Sequence, residues 1–134
     1  MAYEFLEHTA DVRMRVTETR LERVFADALA GLMELLQPGS PTGPAVRRPV
    51  SLSAGDVTAL LVDFLSEALL GAQTRRERYD GLVVRELTEQ SITAELTGAP
   101  VAEFGDDVKA VTYHEAQLKR GPDGRWETVI VFDV

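Results

Sequence analysis

Two stretches of this chain repeat their apolar residues at the spacing of a helix, and most of the rest alternates at the spacing of a strand. That division sets the fold class. Leu21, Val24, Phe25, Ala28, Leu32, Leu35 and Leu36 recur every three or four residues and form one apolar helix face. Thr19-Arg20-Leu21-Glu22 reads as a capping box at its start. Val57, Leu60, Leu61, Phe64, Leu65, Ala68 and Leu69 form a second stripe, capped by Asp56. Its end is open, either at Gly71 or within Arg75-Arg76-Glu77-Arg78. The Pro- and Gly-rich segment from Gln37 to Pro44 stops the first helix and makes a surface loop inside one domain. Val12, Met14 and Val16 alternate with Arg13 and Arg15, as in a half-buried strand. Val46 to Leu52 is a further strand, with Pro49 pointing to a sheet edge because proline has no N–H to donate. Gly81 to Leu87 and Ser91 to Thr97 are two strands joined by a polar turn. Val111 to Lys119 and Arg125 to Phe132 form a final hairpin across Gly121-Pro122-Asp123-Gly124. The expected fold is α+β, two helices packed on a mainly antiparallel sheet, in a single domain over residues 1–134.

Composition narrows the function classes. A net charge of −8 argues against broad nucleic-acid binding, where Lys and Arg supply most of the affinity. The same charge favours encounter with a basic protein. The absence of cysteine excludes disulfides, thiolate metal sites and cysteine nucleophiles. Met1 to Glu7 lacks the basic and apolar regions of a signal peptide, and no apolar run approaches the roughly 20 residues of a membrane helix. The expectation is a soluble, cytoplasmic protein without a membrane partner. The chain has no Walker A loop, no G-x-G-x-x-G, no H-E-x-x-H and no G-x-S-x-G elbow.

Three segments carry candidate chemistry. Asp11 stands just before the strand that opens at Val12; a turn or cap role is the ordinary one for such a residue, and a ligand role is the alternative. Asp133 ends a strand whose two faces, Trp126-Thr128-Ile130-Phe132 and Glu127-Val129-Val131, are both rich in apolar groups, which suits a central strand. The common outcome for a residue in that position is solvation at a frayed end. If folding brings Asp11 to Asp133 and to the α-carboxyl of Val134, three anionic groups share one space and need a counter-charge. A hard divalent cation with oxygen ligands suits that need. Lys109 precedes a strand in Lys109-Ala110-Val111-Thr112-Tyr113-His114; it is either a solvated charge or a partner for an anion or phosphate. His8 and His114, the two histidines, are candidates for metal ligation or proton transfer, beside the commoner structural role. Arg75, Arg76 and Arg78 make a basic patch that suits a helix end.

Taken together, His8-Thr9-Ala10-Asp11-Val12, Lys109-Ala110-Val111-Thr112-Tyr113-His114 and Phe132-Asp133-Val134 resemble the archease family over nearly the whole chain. The two helical stripes are similar to the family's two helices, with Phe64 where tryptophan is usual. The resemblance implies a domain related to strand–helix–strand–strand (SHS2) modules. It implies no catalytic residues of its own, but an accessory protein for the RtcB-type RNA-splicing ligase, touching tRNA or other RNA only through the ligase. That ligase joins 2′,3′-cyclic phosphate or 3′-phosphate ends to 5′-hydroxyl ends. Archease is understood to promote its guanylylation and turnover and to broaden its nucleotide use. The family's metal ligands map onto Asp11, Asp133 and Val134, with calcium the usual ion and magnesium or manganese as alternatives; its functional lysine maps onto Lys109. Two positions depart from the family pattern: Arg13 and Ala99 stand where glycine and glutamate are frequent. A general chaperone or modulator of nucleic-acid-modifying enzymes is the competing function, and a stand-alone metal-dependent hydrolase a further one, disfavoured by the lack of an evident nucleophile or general base.

Overall fold

The computed structural model describes residues 2–6, 11–113 and 116–134. The elements run β1 (Tyr3–Leu6), β2 (Val12–Glu18), α1 (Leu21–Leu36), β3 (Val46–Ser53), α2 (Val57–Arg75), β4 (Glu77–Leu87), β5 (Ser91–Pro100), β6 (Ala110–Thr112), β7 (Lys119–Arg120) and β8 (Trp126–Asp133). The class is α+β, and the strands pair antiparallel as the alternation requires. They form two sheets where the sequence suggested one. The first has the order β1-β2-β8-β6, with β7 also on β8; the second has the order β3-β5-β4. α1 touches β2 and β4, and α2 touches β6 as well as β3, β4 and β5, so each helix packs on both sheets. One core results, in which Met14, Phe25, Leu32, Phe64, Ile130 and Phe132 are fully buried. Phe25 and Phe64 lock the two helices edge to face, with ring centroids 5.3 Å apart.

The elements form for the expected reasons, with four differences. At the start of α1 the capping box is not made. The N-cap falls on Arg20, one residue after Thr19, and its side chain makes no cap bond. Asp56 does cap α2, its Oδ1 accepting the Ala59 N–H at 2.8 Å. Of the two ends the sequence left open, α2 takes the longer: it runs past Gly71 to Arg75 and closes on Arg76 in the left-handed region, φ 53°. Gly71 marks a close approach instead of a helix end: a Cβ there would lie 3.0 Å from the Tyr79 hydroxyl. By length and composition α2 is apolar enough to cross a membrane, which the sequence reading did not anticipate; here Leu60, Leu61, Phe64, Leu65 and Ala68 are buried in the core.

The third difference is β1, unanticipated, which pairs with β2. The fourth is in the last hairpin. Ala110 pairs with Asp133 and Lys119 with Glu127, so nine steps on one side (119 − 110) match six on the other (133 − 127). The first side is therefore three residues longer than the second, and the expected strand from Val111 to Lys119 is split into β6 and β7. β3 is an edge strand, as Pro49 indicated.

An ion pair between half-buried Arg48 and buried Glu77 ties β3 to β4 across β5. Arg48 donates from Nε to Glu77 Oε1 at 2.9 Å and from Nη2 to Oε2 at 2.5 Å, and the Tyr79 hydroxyl donates to Oε1 at 2.9 Å. The Arg48 hydrogen bonds hold the Glu77 carboxyl below its ordinary range, against the opposing effect of burial. A carboxyl with a depressed folded value contributes stability above its unfolded value, near pH 4, and loses it as the pH falls through the folded one. Arg48→Ala should therefore lower the unfolding free energy at neutral pH by about 1–3 kcal/mol. The penalty should shrink in strong acid, as urea unfolding at several pH values would show. A penalty independent of pH would contradict this role for the pair.

Candidate functional site

The ends of β2, β8 and β6 meet at one corner of the first sheet. In the β2–β8 ladder Val12 stands opposite Phe132. Extended by one residue, that register sets the backbone of Asp11, at the bend leading into β2, beside that of Asp133. On the other side of β8, Ala110 is the partner of Asp133, and the Lys109 N–H donates to the Asp133 carbonyl at 2.8 Å. Asp11, Lys109, Asp133 and Val134 are thus neighbours along the backbone ladder. Asp133, Val134 and Lys109 are exposed and Asp11 is half-buried.

Alternation divides this group. Phe132 and Val111 point into the core, so Asp133 between Phe132 and Val134 lies on the outer face of the sheet. Lys109, two residues before Val111, lies on the helix side, where it lines a shallow groove with Ser66, Leu70 and Gln73 of α2. The corner therefore carries carboxylate on one face and a lysine at the edge of the other. His8 and His114 lie outside the described residues.

The donor chemistry suits a hard ion. The chain offers no thiolate, so an ion held between Asp11 and Asp133 would be bound through carboxylate oxygens, as a hard cation prefers. Among the described residues no group of three His, Asp or Glu side chains is arranged to hold a metal ion. A cavity of about 530 Å³ lies elsewhere, at the opposite end of the sheet beside Thr17, Lys119, Arg125 and Glu127.

The sequence reading missed how the segment after Lys109 is held. The Tyr113 hydroxyl donates to Asp63 Oδ1 on α2. Gln73 Nε2 donates to the Val108 carbonyl at 2.8 Å and to Asp107 Oδ1 at 3.1 Å. Lys109, Val111 and Tyr113 sit at alternate positions, and that period of two was the available sign that they turn to the same side. The hydrogen bond to Asp63 raises the Tyr113 phenol above its ordinary value, helped by burial.

The chain matches the model of the Archease protein family (MTH1598/TM1083) over residues 3–134. It is 31% identical to the archease of Methanosarcina acetivorans over 140 residues, covering 98% of this chain and 95% of that protein. It is 31% identical to the archease of Thermococcus kodakarensis over 139 residues, covering 98% of each. The solution structure of protein 1598 from Methanobacterium thermoautotrophicum superposes with a TM-score of 0.72 at 23% identity, covering 99% of both chains. The crystal structure of an archease, possible chaperone, from Thermotoga maritima superposes with a TM-score of 0.70 at 18% identity, covering 96% of this chain and 94% of that one. These likenesses agree with the α+β fold.

Asp63→Asn should return the Tyr113 phenol toward the ordinary tyrosine value, near 10. Ring NMR shifts followed from neutral to alkaline pH would show it. A Tyr113 titration unchanged in the variant would rule out Asp63 as the cause.

Proposed function

The chain belongs to the archease family, and from that membership we propose that it acts in the cytoplasm as an accessory protein of an RtcB-type RNA-splicing ligase. In this reading it promotes ligase guanylylation and multiple turnover and broadens nucleotide use, and it is not itself an enzyme. RNA is engaged through the ligase. The observation that carries the reading is the shared corner of Asp11, Lys109, Asp133 and Val134, set by the β2–β8–β6 ladder. It supports a chemical centre built from the residues that resemble the family's functional positions.

Asp11 and Asp133 would hold a divalent cation, calcium or alternatively magnesium or manganese, with the Val134 main-chain carboxyl as third donor where that group is free. Such an ion offsets phosphate charge and aligns reacting groups during nucleotidyl transfer. The chain's own part is to present the carboxylates on an exposed corner, with Lys109 close by to meet a phosphate. The net charge of −8 supports approach to a basic partner over direct capture of RNA. The competing reading is a general chaperone or modulator of nucleic-acid-modifying enzymes; the Thermotoga maritima protein is described only as a possible chaperone.

Wild-type protein should stimulate guanylylation of the purified ligase, and Asp11→Ala, Asp133→Ala and Lys109→Ala, each shown to be folded, should lose at least about tenfold of that stimulation. Full stimulation by all three would remove the site. Calcium at about 100 times its Kd should stabilise the protein by about 2.7 kcal/mol. Thermal unfolding should show that increment in wild type and not in Asp133→Asn; an equal gain in both would place the ion elsewhere.

A further inference from the structure

Residues 107–113 run beside α2 in the opposite direction, and the seam between them is open. Tyr113 bonds to Asp63 at one end and Val108 to Gln73 at the other. Ten helical residues separate these two ties (73 − 63), a span of about 15 Å. Between them Ser66, Leu69 and Leu70 face Lys109, Ala110 and Val111 across a groove.

This seam is unusual in what it exposes. Leu70 is 56% exposed and Tyr113 57% exposed. Val134, 44% exposed, stands opposite Lys109 when the β6–β8 register is extended by one residue. A single exposed leucine is ordinary, but an exposed leucine in a groove with an exposed tyrosine at its end marks a contact surface. The rim is acidic: Asp63 and Glu67 come from α2, and Asp106 and Asp107 from the segment before β6. Lys and Arg side chains of a partner would be drawn to such a rim.

We infer that this groove docks a basic segment of the partner protein, which sets an apolar side chain against Leu70 and its cations against Glu67 and the neighbouring acids. The inference rests on the reading that the chain serves a partner protein, and it names the surface that the partner meets. The groove adjoins the carboxylate corner, since Lys109 belongs to both, so a segment seated there holds the corner against the partner's own active centre. A helix or an extended strand fits the requirement equally, because what is read is one apolar anchor in a ring of acids.

The test is the affinity of purified RtcB-type ligase for wild type, Leu70→Asp, Glu67→Lys and Val83→Asp, each checked for unchanged fold and thermal stability. Leu70→Asp should weaken binding by at least about tenfold, as loss of a central anchor does. Glu67→Lys should weaken it by about fivefold, with the difference shrinking as salt is raised. Val83→Asp, at an exposed apolar position on the other sheet, should bind like wild type. Equal binding by Leu70→Asp and wild type would overturn the groove and leave the partner reading in place. Absence of binding by wild type would overturn both. Self-association of wild type that Leu70→Asp abolishes would assign the groove to a second copy of this chain and overturn the partner segment.

Discussion

β2 and β8 come from opposite ends of the chain and pair along their whole length, from Val12 with Phe132 to Glu18 with Trp126. Everything of functional interest depends on that ladder. Strand pairing has a period of two, so a slip of one residue would turn Phe132 out to solvent and carry Asp133 into the core. Burial of Met14, Val16, Ile130 and Phe132 under the helices makes such a slip costly. The hydrophobic effect acting on four side chains thereby sets where the carboxylates of Asp11 and Asp133 come to lie, although neither contributes to the core.

The second sheet and the helices supply the rest of the frame. α1 and α2 fill the space between core strands of both sheets, and α2 also forms one wall of the groove that Lys109 lines. The tie between Tyr113 and Asp63 and the bond from Gln73 to Val108 hold β6 against that wall. The Lys109 N–H bond to the Asp133 carbonyl joins wall to corner. A chain with an excess of acid has thus placed a lysine on the helix side of the sheet edge and carboxylate on the outer side, within one ladder step of each other. Such an arrangement suits a surface that meets both a phosphate and a basic protein.

Much of this was legible in particular residues. The stripes from Leu21 to Leu36 and from Val57 to Leu69 announced the helices, and Asp56 and Pro49 did what a cap and an edge proline do. The two apolar faces of β8 announced a central strand, and β8 lies between β2 and β6. Other features were not local properties. The helices end on Gln37 and Arg76 in left-handed conformations, where glycine is the usual signal, and Gly71 is spent on clearance for Tyr79. Tyr3–Leu6 is too short to declare itself, and its pairing depends on β2 being present. The split of β6 from β7 is a mismatch between two strands, invisible in either alone. So is the separation of Lys109 from Asp133 onto different faces, which requires the register of β6 on β8.

The chain belongs to the archease family, and the cation site proposed for it lies at the open end of the first sheet. The most direct measurement is paramagnetic broadening by Mn²⁺ in the amide NMR spectrum of the full chain. The account predicts that the amides of Asp11, Ala110 and Asp133 broaden together at low Mn²⁺, while Gly124 at the far hairpin keeps its intensity. Broadening centred on the far hairpin, or spread evenly over the acidic surface, would contradict a cation site built by the β2–β8 ladder.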